Sequence, residues 1–331
     1  MLVIFNTGVE DRNFYYLSGI EEPCKGVLLW DGEKPVVLAS ELEAGVAERY
    51  VEEVVVLRSR DELWDVLKRK LRGCRVVGVN MKKLPAAIFR KLRRTLKGKK
   101  VEDVSKKLAE MRKIKKEEEI RKIEKACKIA SKALKKVPEL LCEGMSEREL
   151  AAEVEYIARK GGAQGFAFPT IVASGENSLK IHTTATERRI ERGVVIVDIG
   201  PVYRMYGSDV TRTFCLGKNR EFERIYGKVL EAEERVIEAV GEGKEAGKIV
   251  KVAEKLTGKM KHALGHGIGL EIHEEPVLHS KSRENLKAGE VLAVEPAIYS
   301  TFGVRIEDVL VVGKKARVLT EVPRDVEFVM I

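Results

Sequence analysis

The stretch Leu264–Pro276, LGHGIGLEIHEEP, holds two of the chain's five histidines, His266 and His273, seven residues apart among three glycines. Glycine at alternate positions costs a helix stability and suits a strand that a ligand or another backbone approaches closely. A helical His-Glu-x-x-His zinc motif is excluded, because the residue four after His273 is Val277 and Pro276 would break such a helix. Taken alone, the segment favours one structural imidazole and one surface imidazole. Acids elsewhere in the chain change that reading.

Asp198 sits in VVIVDIG and Asp209 in YGSDVTRTF; Glu295 follows VLAV, and Glu307 lies in GVRIEDVLVV. All four interrupt runs that otherwise have the apolar, β-branched character of strands. A hairpin turning at Tyr203-Arg204 makes Asp198 and Asp209 direct partners. A turn centred on Thr301 does the same for Glu295 and Glu307. Like charges directly opposed destabilise a sheet, so a positive group is expected between them. Four carboxylates in an apolar setting stay ionised only beside cations; otherwise they take up protons or bind metal. With one neutral imidazole, such a set suits two divalent ions roughly 3.5–4 Å apart. His266, between glycines, is the candidate imidazole ligand, and His273 is left for chemistry.

The elements that would position these residues fall into two parts. Residues 1–105 alternate short apolar strands (LVIFN, KGVLLW, PVVLA, CRVVGVN) with helical segments such as DELWDVLKRKLR, which predicts a small α/β domain. A charged stretch follows, with a short strand from Lys100 to Val104. Beyond it, apolar residues at helical spacing (Ile120, Ile123, Cys127, Ala130, Leu134) predict a long amphipathic helix over about 116–137. Ser146 with Glu149 forms a capping box that starts another helix. Helices near 220–240 and 244–256 then precede the second pair of acids. Helix, helix and acid-bearing hairpin thus occur twice in residues 106–331, which suggests a duplicated half-domain; chance similarity of α/β segments is the alternative.

Composition narrows the class. No apolar run is long enough to span a membrane, and the N-terminus lacks the basic region and cleavage site of a signal peptide, so a cytoplasmic protein is expected. The five cysteines are scattered and never spaced Cys-x-x-Cys, which points to reduced core thiols. The net charge of +9 raises nucleic acid as a partner, but acids and bases are interleaved, as in MRKIKKEEEIRKIEKACK, so that partner is not expected. Charged residues make up 34% of the chain, a bias towards Lys and Glu found in proteins from hot environments.

The motifs VDIG, SDVTRTF, GHGIGLEIHE, VEPAIY and GVRIED, in this order, resemble those of the pita-bread metallopeptidases: prolidase, aminopeptidase P and methionine aminopeptidase. The N-terminal third, with NFYYLSGI, resembles the creatinase-type domain that precedes the catalytic domain in prolidase and aminopeptidase P. The resemblance implies a mixed α/β (α+β) fold with that domain in residues 1–105 and a pita-bread domain with pseudo-twofold duplication in 106–331. It implies two divalent ions per subunit, manganese or cobalt, with zinc or iron as alternatives. Asp198, Asp209, His266, Glu295 and Glu307 would be the metal ligands. His182, in LKIHTTAT, would contact substrate near the scissile nitrogen, and His273 would donate to the scissile carbonyl oxygen. His262 would line the substrate pocket, Arg305 would face either substrate or ligands, and Glu295 would shuttle the proton. His279 matches no motif position and is expected at the surface.

The implied activity is hydrolysis of the bond N-terminal to proline in Xaa-Pro or Xaa-Pro-Xaa peptides, by a homodimer. Val277 stands where several dipeptide-specific prolidases carry arginine, which argues against strict dipeptide cleavage. Methionine aminopeptidase-like activity is the alternative within the class. A non-catalytic peptide- or protein-binding module is the alternative outside it.

Overall fold

The computed structural model describes residues 1–331, which divide into two compact units, Met1–Arg112 and Lys113–Ile331. In the first unit, strands β1 (Leu2–Asn6), β2 (Gly26–Trp30), β3 (Pro35–Ser40), β4 (Glu53–Leu57), β5 (Val76–Val79) and β6 (Lys100–Asp103) form one sheet in the order β4-β3-β2-β1-β5-β6. The pairs β1/β2 and β2/β3 are antiparallel, and the other neighbours are parallel. Helices α1 (Arg12–Ser18), α2 (Glu41–Ala47), α3 (Glu62–Lys70), α4 (Ala86–Thr95) and α5 (Ser105–Lys113) complete the alternation. Parallel neighbours need crossovers, and α2, α3 and α4 supply chain for them. Phe5, Leu29, Leu38, Leu67, Val77 and Leu92 form the core beneath this sheet.

The second unit opens with α6 (Glu117–Leu134), α7 (Val137–Leu140) and α8 (Glu147–Lys160). The apolar stripe of α6 is buried as its spacing predicts, from Ile120 to Leu134. The helix stops at Leu134 rather than near 137, and α7 follows with Pro138 in its first turn. Ser146 accepts from the Glu149 amide and Glu149 reaches back to Ser146, so the expected capping box forms. Strands β7 (Gly165–Phe166), β8 (Ile171–Ser174), β9 (Gly193–Ile199), β10 (Pro201–Tyr203), β11 (Tyr206–Gly207) and β12 (Val210–Leu216) come next. They are followed by α9 (Arg220–Ala239) and α10 (Ala246–Thr257). The chain closes with β13 (Gly265–Gly267), β14 (Glu274–Leu278), β15 (Val291–Val294), β16 (Ala297–Tyr299), β17 (Gly303–Arg305), β18 (Asp308–Val311), β19 (Arg317–Val318) and α11 (Val326–Val329).

The suspected repeat is visible in the pairing. Sheet order β12-β9-β8 in the first half corresponds to β18-β15-β13 in the second, each an antiparallel triplet whose inner strand leads into an acid-bearing hairpin. The core forms two clusters, the first of which also takes in Phe302, Val304 and Ile306 from the second half. Leu134, Val154, Val197 and Phe214 belong to one, and Val236, Ile249, Leu292 and Leu310 to the other.

Two expectations need correction. The first hairpin turns at Arg204-Met205, one residue later than expected, with φ of +45° and +72° at those positions. Left-handed φ at both central residues is what a type I′ turn requires and what matches the twist of the flanking strands. The register therefore moves by two: Asp198 faces Thr211, and Asp209 lies diagonal to Asp198 on the same face. The cysteines are free as expected, but Cys142 is exposed rather than a core thiol, because it lies in the connection between α7 and α8. No helix is long and apolar enough to cross a membrane.

Candidate metal centre

The glycine-rich stretch is a strand, and its glycines are steric necessities. Strand β13 runs between β14 and β15. A Cβ on Gly265 would meet the Ala293 carbonyl oxygen at 2.1 Å, and one on Gly267 would meet the Glu275 oxygen at 2.2 Å. His266 between them therefore lies within close-packed backbone, 6% exposed, with Nδ1 3.0 Å from the Gly267 carbonyl oxygen. That contact holds the ring with Nε2 directed at acids: 3.5 Å from Asp209 Oδ2 and 3.9 Å from Glu295 Oε1.

The second hairpin has the expected register. Val294 pairs with Asp308 and Ala297 with Arg305, so the same alignment puts Glu295 across from Glu307. Ligand atoms of Asp209, His266 and Glu307 all lie within 4.8 Å of one another, and all three residues are buried. Asp198, from the neighbouring strand, and Glu295 line the same cavity of about 230 Å³. His182, His273 and Arg305 border it too, and Phe168, Ile171, Ile181 and Ile272 supply apolar walls.

Electrostatics in this cavity are those of a crowded anion site. Burial, with Asp198 and Glu295 beside it, raises the Asp209 carboxyl well above its usual range. Burial also raises Glu307 well above its usual range, reinforced by Asp209, Glu295 and Asp198. Asp198 is raised by burial in spite of Arg305, whose Nη2 donates to its Oδ2 at 2.6 Å. The other oxygen, Asp198 Oδ1, is buried without a hydrogen-bond partner. An orphaned carboxylate oxygen beside two acids that resist ionisation is the arrangement expected where divalent cations complete the charge balance. The donor set of carboxylates and one imidazole fits such ions.

Arg305 is fully engaged. Besides Asp198 it donates from Nη1 to Tyr299 Oη at 3.0 Å and from Nε to Thr211 Oγ1 at 3.2 Å. Thr211 in turn donates to Glu307 Oε2 at 2.6 Å. Sequence reasoning missed Thr211 and Tyr299. The corrected register would have found Thr211, which occupies the place across from Asp198. Tyr299 closes the motif VEPAIY, but its role was not legible there, because its hydroxyl meets the guanidinium only when β16 folds back on β17.

The remaining histidines are dispersed. His273 is exposed and stacks edge-on against His266, with ring centroids 4.3 Å apart. Partial burial, then the neighbouring His266, hold its pKa below the ordinary imidazole value. Next to it, Glu274 accepts from the Glu271 amide at 3.0 Å and pairs with the buried Lys115 at 3.1 Å, which pins the turn before His273. His182 is exposed on the cavity rim. His262 is not among the lining residues; its Nδ1 lies 3.6 Å from Glu295 Oε2, and its ring is 5.8 Å from that of Tyr299. His279 is exposed, as expected.

Comparison with known proteins places this architecture. Residues 121–314 match the model of metallopeptidase family M24, and residues 1–114 match the Creatinase/Prolidase N-terminal domain. The chain is 36% identical over 327 residues to the Xaa-Pro dipeptidase of Pyrococcus horikoshii, covering 96% of this chain and 92% of that one. It is 38% identical over 327 residues to the Xaa-Pro dipeptidase of Pyrococcus furiosus, with 95% and 92% covered. The crystal structure of the X-Pro aminopeptidase from Thermotoga maritima superposes with a TM-score of 0.90 at 30% identity, covering 98% of this chain and 96% of that one. The pita-bread fold inferred from the motifs is therefore correct, and the chain belongs to metallopeptidase family M24.

Proposed function

We propose that this chain is a dinuclear Xaa-Pro metallopeptidase, hydrolysing the peptide bond on the N-terminal side of proline. The observation that carries the reading is the convergence of Asp209, His266 and Glu307 within 4.8 Å, with Asp198 and Glu295 in the same apolar-walled cavity. Near full-length similarity to Xaa-Pro dipeptidases supports it. Asp198, Asp209, His266, Glu295 and Glu307 would hold two divalent ions. The family resemblance implies manganese or cobalt, with zinc or iron as alternatives, and the oxygen-rich donor set suits manganese. Bound there, such ions supply a Lewis acid and lower the pKa of water.

The chain's own groups do the rest. Glu295, less buried than the other acids of the cavity, takes the proton of the attacking water and returns it to the leaving nitrogen. His273, whose pKa is held below the ordinary imidazole value by burial and then by His266, donates a ring N–H to the oxygen of the scissile carbonyl. His182 lies on the same cavity and contacts the substrate near the scissile nitrogen. Phe168, Ile171, Ile181 and Ile272 give an apolar wall for a pyrrolidine ring and exclude water from the bond being cleaved. Arg305 holds Asp198 and Thr211 in place, while His262 stands beside Glu295 with its Nδ1 2.7 Å from the Ala263 carbonyl oxygen.

The test is hydrolysis of matched Xaa-Pro and Xaa-Pro-Xaa peptides by protein stripped of metal and reloaded with Mn²⁺ or Co²⁺, with a Met-Ala-Xaa peptide as control. Cleavage of the dipeptide alone identifies a dipeptidase in spite of Val277. Cleavage of the longer peptide identifies an aminopeptidase. Cleavage of the control peptide alone, or of none of the three with metal bound, overturns the reading.

A further inference from the structure

Glu147, the first residue of α8, is completely buried and is not among the residues that line the cavity. Its carboxylate nevertheless receives hydrogen bonds from three residues at the two ends of a cavity wall. Oε1 accepts from the Ser174 amide at 2.7 Å, from Ser174 Oγ at 2.8 Å and from Asn177 Nδ2 at 3.0 Å. Oε2 accepts from Asn177 Nδ2 at 3.1 Å, from the Thr186 amide at 3.1 Å and from Thr186 Oγ1 at 2.6 Å. Ser174 and Asn177 precede the segment Lys180–Ala185, and Thr186 follows it.

That segment has no helix or strand, yet it contributes Ile181, His182, Thr183 and Thr184 to the cavity. No hydrogen bond fixes the His182 imidazole itself, so the place of the ring depends on where the two stems are held. An irregular segment without a ladder of its own must satisfy its stem amides elsewhere. Here one anion does so for both ends. The first turn of α8 favours negative charge at this position. Burial opposes ionisation of Glu147, but the hydrogen bonds from Thr186, Ser174 and Asn177 outweigh it and keep the carboxyl below its usual range. The backbone adds to the anchoring: the Glu147 amide donates to Arg188 O and the Arg148 amide to Thr186 O, both at 3.1 Å.

We propose that Glu147 is a positioning residue for peptide binding, a buried carboxylate that clasps both stems of the Ile181–Thr184 wall and so sets where His182 stands. The proposal rests on reading the cavity as the peptide site. Its test therefore has one arm that depends on activity and one that does not.

The first arm is amide hydrogen exchange on the full-length, Mn²⁺-loaded chain, comparing wild type with Glu147→Gln, which keeps the shape but turns an NH₂ towards the donors. Expected is at least about tenfold faster exchange in residues 175–187, with β9 and β12 unchanged. The second arm is hydrolysis of an Xaa-Pro peptide, with KM raised about tenfold, kcat lowered less than about threefold and Mn²⁺ affinity unaltered. Unchanged exchange in 175–187, or exchange that rises evenly across the second unit, overturns the clasp. So does a fall in kcat and Mn²⁺ affinity with KM unmoved. Thr186→Val and Ser174→Ala each remove one hydroxyl donor without touching the charge. They should show the same local loosening to a smaller degree, and they carry the test if Glu147→Gln does not fold. Local loosening in a wild-type background that cleaves no proline peptide upholds the clasp and overturns the peptidase reading instead.

Discussion

Thr211→Val tests the link between the two hairpins most directly. Valine keeps the volume of threonine and removes only the hydroxyl, which is fully buried. Two bonds go with it: the 2.6 Å donation to Glu307 Oε2 and the 3.2 Å acceptance from Arg305 Nε. A hydrogen bond from the charged Arg305 contributes about 1.5–3 kcal/mol, one to an acid that resists ionisation, as Glu307 does without metal, about 0.5–1.5 kcal/mol, and a buried group left unpaired costs about 1–3 kcal/mol. Arg305 retains Asp198 and Tyr299, so its loss is the smaller. The metal-free protein should therefore lose roughly 2–4 kcal/mol in urea unfolding. Glu307 would also lose the group that orients it, and removing such an outer partner typically weakens metal binding about 10–100-fold. Titration calorimetry with Mn²⁺ reads that directly. A variant within about 0.5 kcal/mol of wild type and with unaltered Mn²⁺ affinity would show that the hydroxyl neither holds Glu307 nor couples the hairpins.

Further predictions concern the buried charges behind the site and the ions themselves. Arg212 is completely buried, donating to Asp308 and to the carbonyls of Thr211, Glu307, Val322 and Pro323. Arg212→Met should cost about 3–5 kcal/mol in urea unfolding, and a loss under about 1 kcal/mol would refute the account of that cluster. Glu233 is buried with neither carboxylate oxygen hydrogen-bonded. Burial, then Asp308, raise its carboxyl well above the usual range against the pull of Arg324 and Arg212. A raised folded-state pKa means that its stabilising share is full below the unfolded value and fades as pH rises through the folded one. Wild type should thus lose more stability than Glu233→Gln between about pH 5 and about pH 8, and parallel profiles would sink the idea. Chelation should lower the melting temperature and Mn²⁺ should restore it. Ion at a hundred times its dissociation constant is worth about 2.7 kcal/mol, and an unmoved melting temperature would argue against a bound ion.

Much of this site was legible in the chain because its residues break local rules. An aspartate inside VVIVDIG contradicts a buried strand, glycines around His266 contradict a helix, and such conflicts concentrate where function requires them. The amphipathic stripe of α6 and the capping box of α8 are local signals, and both formed as their spacing predicts. The register of the first hairpin was not legible. Its turn uses Arg204 and Met205 in left-handed conformations that neither residue type advertises.

The sequence by itself determined which residue types could hold divalent ions and which strand-like runs they lie in or beside, and it suggested that the pattern occurs twice. These follow from periodicity and from the cost of burying charge, both readable along a chain. Only the tertiary structure decided that Thr211, not Asp209, faces Asp198, that Arg305 is committed to Asp198, Tyr299 and Thr211, and that Glu147 gathers the stems of the His182 segment. The physical reason is separation in sequence. Arg305 reaches Asp198 across 107 residues, and Thr211 reaches Glu307 across 96. A hydrogen bond closed over such distances leaves no trace in the local pattern of either partner.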